Sequence, residues 1–238
     1  MRHIENLRDH HEKDKKIWII GCGQSLCDFP KEFFDEKITI ALNWTIIGFP
    51  KCTYWHGHHE CFREYLRDEK PEFLRKSIIL YPFPGPYKHG RIINPEDFFG
   101  KLVSRPIFMK FWDTRPIPKG AFEEAIRCIM EKTVPRGYRG SMSVSHTAIQ
   151  AAAIMGAKRI VLVGCENRGF HAKCYGIGSR LCGPNGSNRI AVRCENGTRW
   201  SAEIFAKYGV EVIRYYNKDG SFYKKGYEKI PWGEVEEK

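Results

Sequence analysis

The sequence lacks several features that would assign it to a class at once. Its 238 residues contain no apolar run near the ~20 residues that a membrane-spanning helix needs. There is no G-x-x-x-x-G-K-[ST] phosphate loop and no pair of C-x-x-C motifs of the kind that builds a structural zinc site. No internal repeat, low-complexity segment or nucleic-acid-binding motif is present. These absences argue against a membrane-spanning protein, a P-loop enzyme, a zinc module and a nucleic-acid partner.

The N-terminal residues also lack the pattern of a secretory signal. Residues 1–16 are polar and charged, so we expect 1–15 to be a flexible arm and the protein to be cytoplasmic. The nine cysteines are odd in number, and in a cytoplasmic protein we expect them to be free thiols.

The charge balance is strongly basic, with a formal net charge of +11. Such a balance favours anionic partners, among them nucleotides, phosphosugars, acidic glycans and a membrane surface. The positive charge is spread along the chain, so a solvated basic surface without such a partner is an equal alternative.

Apolar strand-like runs alternate with helical segments, which predicts a Rossmann-like α/β fold. Strands are expected at 17–20, 38–42, 52–55, 77–80, 158–163 and 210–213. Helices are expected at 59–67, 121–132 and 200–208, and a long one follows the Gly140-Ser141 turn and ends at Gly156. This alternation predicts a mostly parallel sheet with helices on both faces.

The length suits one domain, which we place at 16–215. Three prolines begin an irregular insertion at about 81–118, which we interpret as a lid or small subdomain. A Gly-rich loop is expected at 168–199, and a polar tail at 216–238.

The most informative segment is the turn after the first long strand, with Gly21 and Gly23 one residue apart. Glycines in a strand-to-helix turn let backbone N–H groups approach a phosphate. The third position of a G-x-G-x-x-G fingerprint is Leu26, and the second strand ends in Asn43 where an acidic residue would hold a ribose. These departures argue against ordinary NAD binding. A tight turn without a ligand is the alternative.

Ligands of open α/β sheets bind beyond the carboxyl ends of the strands, and several polar groups of this chain are expected there. The candidate nucleotide-binding residues are Gly21, Gly23, Gln24, Ser25, Asn43, Gly140, Ser141, Ser143 and Asn167. The serines have helix capping as their alternative role, and Asn43 has a turn as its alternative. Glu166, directly after a buried strand, is placed to hold a ribose, a metal or an acceptor hydroxyl. His56, His58 and His59 alternate in direction, so at most two of them face the cleft.

These motifs occur in an order that resembles the bacterial sialyltransferases of glycosyltransferase family 42. They are strand-G-x-G-x-S-L at Gly21–Leu26, the strand end at Asn43, Gly140-Ser141 before an Ala-rich helix, and strand-G-x-[DE] at Gly164–Glu166. The same set is similar to the MptE-like proteins (domain of unknown function 115), which include archaeal 6-hydroxymethylpterin diphosphokinases. The resemblance spans about residues 16–215 and rests on these short motifs.

The sialyltransferase resemblance implies roles for individual residues. Gly23, Ser25 and Asn43 would contact the CMP part of a CMP-sugar donor, and Gly140 and Ser141 would lie near the donor sugar. Arg168 stands at the position of one phosphate-binding tyrosine of that family, and Tyr175 lies next to the position of the other. The family's general-base histidine has no counterpart within 193–199, so His171 or Glu195 is the candidate in its place.

Three functions follow as hypotheses. The first is a glycosyltransferase that uses a nucleotide-activated, CMP-type sugar and an acceptor glycan or small alcohol, with His171, Glu166, Arg168 and Tyr175 as catalytic residues and no metal. The second is a diphosphokinase that needs Mg²⁺. The third is a non-catalytic nucleotide or phosphosugar binding protein. Relatives in these families often assemble, so a homo-oligomer is expected as well.

Overall fold

The fold is an α/β sandwich built on one parallel sheet. The computed structural model describes residues 2–11, 15–57, 78–82, 107–109, 112–113, 118–133, 138–139, 143–166 and 188–215. Eight strands form the main sheet in the order β1-β6-β5-β4-β3-β2-β9-β10, and each pairing between them is parallel. The remaining two, β7 and β8, pair with each other. This confirms the predicted Rossmann-like α/β fold.

The elements have the following bounds in chain order. The strands are β1 (Arg2–His3), β2 (Lys16–Ile20), β3 (Ile38–Leu42), β4 (Tyr54–His56), β5 (Ile78–Pro82), β6 (Ile107–Met109), β7 (Trp112–Asp113), β8 (Tyr138–Arg139), β9 (Arg159–Val163) and β10 (Glu211–Arg214). The α-helices are α1 (Lys119–Met130), α2 (Val144–Ile154) and α3 (Asn188–Ala206). Short 3-10 helices lie at Ile4–Leu7, Gln24–Asp28, Lys31–Phe34 and Asn43–Ile47.

The strand order reverses between β2 and β9. From β2 the chain adds β3, β4, β5 and β6 outward on one side, and it then returns to place β9 and β10 on the other side. The crevice beyond the carboxyl ends of the two strands at such a reversal is the usual ligand site of an open α/β sheet. The Gly21 turn follows β2 and Glu166 follows β9, so the topology brings both to this point.

The two faces of the sheet are covered differently. Ile17, Ile19 and their neighbours on the same face pack against α1, α2 and α3. Trp18 and Ile20 alternate with these residues along the strand and lie on the opposite face of the sheet. They pack there against Leu26, Phe29 and other residues of the 3-10 helices and loops. Among the described residues, the helices expected on this second face are therefore short 3-10 turns rather than α-helices. The segment between β2 and β3 is too short for a full crossover helix.

Helix α2 is buried almost all round, because it lies between the sheet and the other two helices. Each residue from 145 to 154 is buried, and six of the eleven residues of the helix are alanine or isoleucine, whose side chains have no polar atoms. The chain leaves the helix through Gly156, whose φ of +92° suits glycine at a helix end. This confirms the predicted stop.

Helix α3 starts earlier than the sequence predicts. Residues 188–199, expected to belong to the long loop, are helical. The buried positions of α3 include Gly197, Thr198 and Ser201, whose small or polar side chains hide the apolar periodicity. The hydroxyls of Thr198 and Ser201 donate to the carbonyls of Cys194 and Gly197, four residues earlier, so their burial leaves no hydroxyl unsatisfied.

The N-terminal segment differs from the expected flexible arm. β1 pairs with β6, and Ile4 and Leu7 are buried in the core. The N–H groups of Asp9 and His11 donate to the carbonyls of Ile154 and Met155, at the end of α2. Residues 2–11 are thus part of the folded domain. Two apolar residues three positions apart are enough for one buried helical turn but too few for a clear periodic signal.

Other predictions meet the structure in part. Strand β6 belongs to the main sheet, although it lies within the insertion expected to be irregular at 81–118. The predicted helix at 59–67, most of that insertion and the tail at 216–238 lie outside the described residues. Five of the six described cysteines are free thiols, as expected, whereas Cys27 is disulfide-bonded. No helix in the described part of the chain has the length and apolar character of a membrane span.

Substituting Ile4 tests whether the N-terminal segment is part of the core. Ile4→Ala removes a fully buried side chain, so we expect it to lower the free energy of unfolding by about 2–5 kcal/mol. The matched control is Val192→Ala, which truncates a side chain that is 50% exposed and should change stability by no more than about 0.5 kcal/mol. Urea denaturation measures both. Equal effects of the two substitutions would mean that the arm is not packed.

Candidate functional site

The candidate site begins with a close contact between two backbone turns. A Cβ atom added to Gly21 would lie 2.2 Å from the carbonyl oxygen of Gly164, and one added to Gly164 would lie 2.4 Å from that of Gly21. Gly164 also has a φ of +68°, which other residues rarely adopt. Both positions therefore require glycine for backbone contact alone, whether or not a ligand binds.

Hydrogen bonds continue the pairing of β2 and β9 into these turns. The N–H of Gly21 donates to Val163, and the N–H of Gly23 donates to Gly164, each over 2.7 Å. The N–H of Gly164 in turn donates to the hydroxyl oxygen of Ser25 over 3.0 Å. The two turns at the switch point are consequently one hydrogen-bonded unit.

The carboxylate of Glu166 lies inside this unit. Its Oε1 accepts a hydrogen bond from the backbone N–H of Ser25 over 2.7 Å. Its Oε2 lies over Gly23, so close that a Cβ on that residue would overlap it at 1.5 Å. Gly23 is thus a glycine because the glutamate side chain takes the space of a Cβ.

The second oxygen of Glu166 is unusual in its surroundings. Oε2 is buried and has no hydrogen-bond partner among the residues that the structure describes, although Glu166 as a residue is partly exposed. A buried acceptor without a donor costs about 1–3 kcal/mol, and more when it is charged. Buried polar atoms of this kind in folded proteins call for an explanation such as a functional role or an unseen partner.

Neighbouring thiols contact the same turns. The Cys165 thiol is buried between them, and burial, followed by the nearby charge of Glu166, raises its pKa far above the ordinary value of a thiol. It therefore stays protonated and acts as core. Cys22 lies in the first turn, where its sulfur is 3.1 Å from the hydroxyl oxygen of Thr45 and joins this turn to the one after β3.

Asn43 adopts the conformation of a turn residue. Its φ is +49°, which asparagine tolerates better than most residues. Its carbonyl accepts a hydrogen bond of 2.6 Å from the indole N–H of Trp55, and its side-chain oxygen would lie 3.0 Å from a Cβ on Gly57. The turn role is thus present, and a contact to a nucleotide stays a prediction.

The start of α2 lies at the same edge of the sheet. His56, the last residue of β4, is fully buried, with Nδ1 2.8 Å from the carbonyl oxygen of Leu80 and Nε2 2.7 Å from the hydroxyl of Thr147 in α2. Ser143 caps the helix by accepting from the N–H of Ser145. Burial, partly offset by the bond to Leu80, lowers the pKa of His56 to about 4, so His56 is a neutral structural residue at pH 7.

A second polar network, built on the buried guanidinium of Arg214, supports the turn after β9 from behind. Arg214, the last residue of β10, makes two hydrogen bonds of 2.8 and 2.6 Å to the carboxylate of Glu195 in α3. One of the same guanidinium nitrogens is 3.4 Å from the carbonyl oxygen of Cys165. Because both oxygens of Glu195 accept from Arg214, this carboxylate is a poor candidate for the general base.

His146 joins α2 to α3 in the same region. Its Nε2 lies 2.9 Å from the carbonyl oxygen of Cys194 and 3.2 Å from the hydroxyl of Thr198. Burial lowers its pKa to about 4, and the charge of Arg214 acts in the same direction. His146 is therefore neutral and holds the two helices together.

The structure brings together some of the predicted site residues. Gly21, Gly23, Ser25 and Glu166 form one unit, and Asn43 and Ser143 lie at the same edge of the sheet. Gln24 is the first residue of the 3-10 helix that follows Gly23. The remaining candidates lie outside the described residues: Gly140, Ser141, Asn167, Arg168, His171 and Tyr175. Among the described side chains, no group of three His, Cys, Asp or Glu residues could hold a metal ion.

Three residues of this region were missed by sequence reasoning, namely His146, Thr147 and Arg214. His146 and Thr147 lie in an Ala-rich helix, where a lone polar residue gives no signal of its partner. Arg214 ends a strand in a basic chain, so its charge does not stand out. The position of Arg214 at the carboxyl end of a strand is the only signal that could have indicated it.

A cavity of about 270 Å³ lies elsewhere, on the face of the sheet that Trp18 and Ile20 share with the 3-10 helices. Phe34, Thr39 and Phe49 line its interior, and the exposed residues Asp35 and Lys51 lie at its edge. It contains none of the predicted site residues, so the switch point remains the candidate site.

Comparisons with known proteins do not assign this chain. No protein-family model matches it, and no curated protein is significantly similar to it. The functional argument therefore rests on the residues themselves.

A pair of glycine substitutions tests the contact between the two turns. Gly164 and Gly209 have nearly the same φ, +68° and +70°, but only Gly164 has other atoms within 4 Å of the position of a Cβ. Gly209→Ala should cost about 1–2 kcal/mol for the left-handed backbone. Gly164→Ala should cost about 1–3 kcal/mol more because two backbones must move apart. Chemical denaturation compares the two variants, and equal losses would contradict the close contact.

The buried histidines predict a loss of stability in mild acid. Their pKa values of about 4 lie below the ordinary 6.5, so between these pH values the unfolded chain binds protons that the folded chain does not. The free energy of unfolding should therefore fall as pH falls, by about 1.4 kcal/mol per pH unit for each histidine. Denaturation between pH 6.5 and 5 measures this slope.

Substitution of one histidine isolates its share of that slope. His146→Gln should reduce the slope by about 1.4 kcal/mol per pH unit relative to the wild type. A slope that His146→Gln does not alter would mean that His146 already binds a proton in the folded protein at pH 6.

Proposed function

We propose that this protein is a transferase that binds a nucleotide-activated sugar of the CMP type at the switch point and passes the sugar to a hydroxyl acceptor. The observation that carries the proposal is the meeting of the Gly21–Ser25 turn and Glu166 beyond the carboxyl ends of β2 and β9. This is the place where open α/β sheets bind nucleotides.

The surroundings of the switch point support a polar organic ligand. Asn43 follows the neighbouring strand, and the amino-terminal end of α2 lies close by at the end of β4. A helix start carries a partial positive charge that favours a phosphate. The net charge of +11 also favours an anionic substrate over a neutral one.

The resemblance to family 42 supplies the proposed chemistry. Sugar transfer requires a base that takes the acceptor proton and donors that stabilise the departing phosphate. We assign the donor role to Arg168 and Tyr175, and the base to His171. Glu195 is left out of this role because the guanidinium of Arg214 binds both of its oxygens. The acceptor is a glycan or a small alcohol.

Ligand-induced stabilisation tests the nucleotide part of the proposal. The purified protein is heated with CMP, CDP, UDP, GDP, ATP or NAD, each with and without Mg²⁺. A ligand at 100 times its dissociation constant adds about 2.7 kcal/mol to the free energy of unfolding, which is a clear shift of the melting temperature. We expect stabilisation by CMP in the absence of metal.

Turnover then separates transfer from binding alone. Release of CMP from a CMP-linked sugar, with and without an acceptor alcohol, is followed by chromatography, and Arg168→Ala should lower it. Binding of CMP without any turnover would replace the transferase with a nucleotide-binding protein. Stabilisation by ATP only with Mg²⁺ would replace it with a diphosphokinase, and no response to any nucleotide would refute the proposed site.

A further inference from the structure

The Gly21–Ser25 turn resembles a phosphate-binding turn, but the carboxylate of Glu166 occupies the position that a phosphate would take. The N–H of Ser25, which a phosphate would use, donates to Oε1 of Glu166 over 2.7 Å. Oε2 of the same side chain lies directly over Gly23. The hydroxyl oxygen of Ser25 accepts from Gly164 and faces into the protein, where the residue is fully buried.

These contacts exclude a phosphate from the turn. A phosphate oxygen within reach of the Ser25 N–H would lie against the carboxylate, and like charges at such a distance repel each other strongly at low dielectric. Gly23 has no side chain, so the space above it could admit a ligand. Oε2 of Glu166 fills that space. The group that binds here must therefore donate hydrogen bonds or carry positive charge.

A divalent cation fits this position poorly. Hard cations such as Mg²⁺ and Ca²⁺ take six or more oxygen ligands, commonly from several carboxylates. Glu166 supplies a single carboxylate, and the described residues hold no set of three acidic, histidine or cysteine side chains around it. Hydrogen-bond donors are thus the better match.

We infer that Glu166 binds the vicinal hydroxyl groups of the ligand's ribose and that the Gly21–Ser25 turn does not contact its phosphate. This inference rests on the proposed function, since it specifies which part of the nucleotide meets the turn. A carboxylate offers about four lone-pair sites, and the described residues use one of them, on Oε1. One ribose hydroxyl donates to Oε2, and the other donates to the remaining lone pair of Oε1.

The carboxylate can reach a ligand without rearrangement of the turns. Oε2 itself is covered, but Glu166 as a residue is partly exposed. The terminal torsion of glutamate is soft, so a small rotation turns Oε2 towards the cleft. Oε1 stays within reach of the Ser25 N–H during this rotation, so the carboxylate still occupies the position of a phosphate. Oε2 then accepts a hydrogen bond from a hydroxyl group of the ligand, which no described residue provides.

Isothermal titration calorimetry with two matched nucleotides tests the inference. Wild-type protein is titrated with CMP and with 2′,3′-dideoxycytidine monophosphate, which keeps the base and the phosphate but lacks both hydroxyls. We expect the dideoxy nucleotide to bind about 10- to 100-fold more weakly, because it cannot form the hydrogen bonds to the charged carboxylate. Inorganic pyrophosphate should bind wild-type protein and Glu166→Ala equally, because the proposed phosphate position is the start of α2 and not the Gly21–Ser25 turn.

Variants of Glu166 identify the group responsible. Glu166→Ala and Glu166→Gln should bind CMP more weakly and should reduce the difference between the two nucleotides, to none for the alanine. Glu36→Gln removes a carboxylate at an exposed position outside the site and should keep the full difference. Circular dichroism establishes that each variant is folded, and the wild-type comparison decides the matter if neither Glu166 variant folds.

The possible failures can be told apart. Equal affinity of wild-type protein for CMP and its dideoxy form would overturn the ribose contact while leaving nucleotide binding intact. Tighter pyrophosphate binding by Glu166→Ala would show instead that the turn is a phosphate site closed by Glu166. Absence of binding to CMP and to each other nucleotide of the panel would refute the proposed function, and the ribose contact with it.

Discussion

The contact between Gly21 and Gly164 determines the geometry of the whole switch point. Here neither turn has a side chain at the point of contact, and the hydrogen bonds from Gly21 and Gly23 extend the ladder past β2 and β9. The side chain of Glu166 can reach the backbone of Ser25 only because the turns are this close.

The same constraint explains why sequence reasoning found the place but not the local chemistry. A glycine that lets a phosphate approach and a glycine that lets another backbone approach look identical in a sequence, since both reflect the absence of a Cβ. Gly23 is a further case, in which the space of the Cβ is filled by a side chain from residue 166. The partner in each contact lies about 140 positions away, beyond the range of any local pattern.

The predictable part of the fold follows from side-chain periodicity. The continuous apolar runs of β2, β3 and β9 are buried on both faces, as strands of parallel sheets usually are, and their order along the chain limits the topology to few arrangements. Side-chain periodicity did not predict the early part of α3 or the turn at Ile4–Leu7. Helix α3 buries hydroxyl-bearing residues that satisfy themselves within the helix, and the turn at Ile4–Leu7 contains too few residues for a period to show.

The ion pair between Arg214 and Glu195 behind the site contributes to geometry more than to stability. Taking the guanidinium of Arg214 out of water costs free energy that its attraction to the partly exposed carboxylate of Glu195 only partly returns, so such a pair is weak evidence of a stable fold. The directional bonds of the guanidinium nevertheless fix α3 relative to the end of β10 and to the carbonyl of Cys165. The residue after that carbonyl is Glu166, so the position of the candidate carboxylate depends on a charge that never reaches solvent.

The net charge of the protein is positive, whereas the candidate site itself contains the negative carboxylate of Glu166. Together these two charges would orient an anionic ligand. A net charge of +11 attracts an anion towards the protein from a distance, although salt screens the attraction beyond about 8–10 Å. On the proposed function, Glu166 would repel the anionic end of the same molecule at the turn and would accept hydrogen bonds from its hydroxyl end. On the proposed function, a nucleotide would therefore enter with its phosphate directed away from Gly23, towards the start of α2. A ligand without an anionic end would gain neither the attraction nor the orientation, which is why the charge distribution favours a nucleotide over a free sugar.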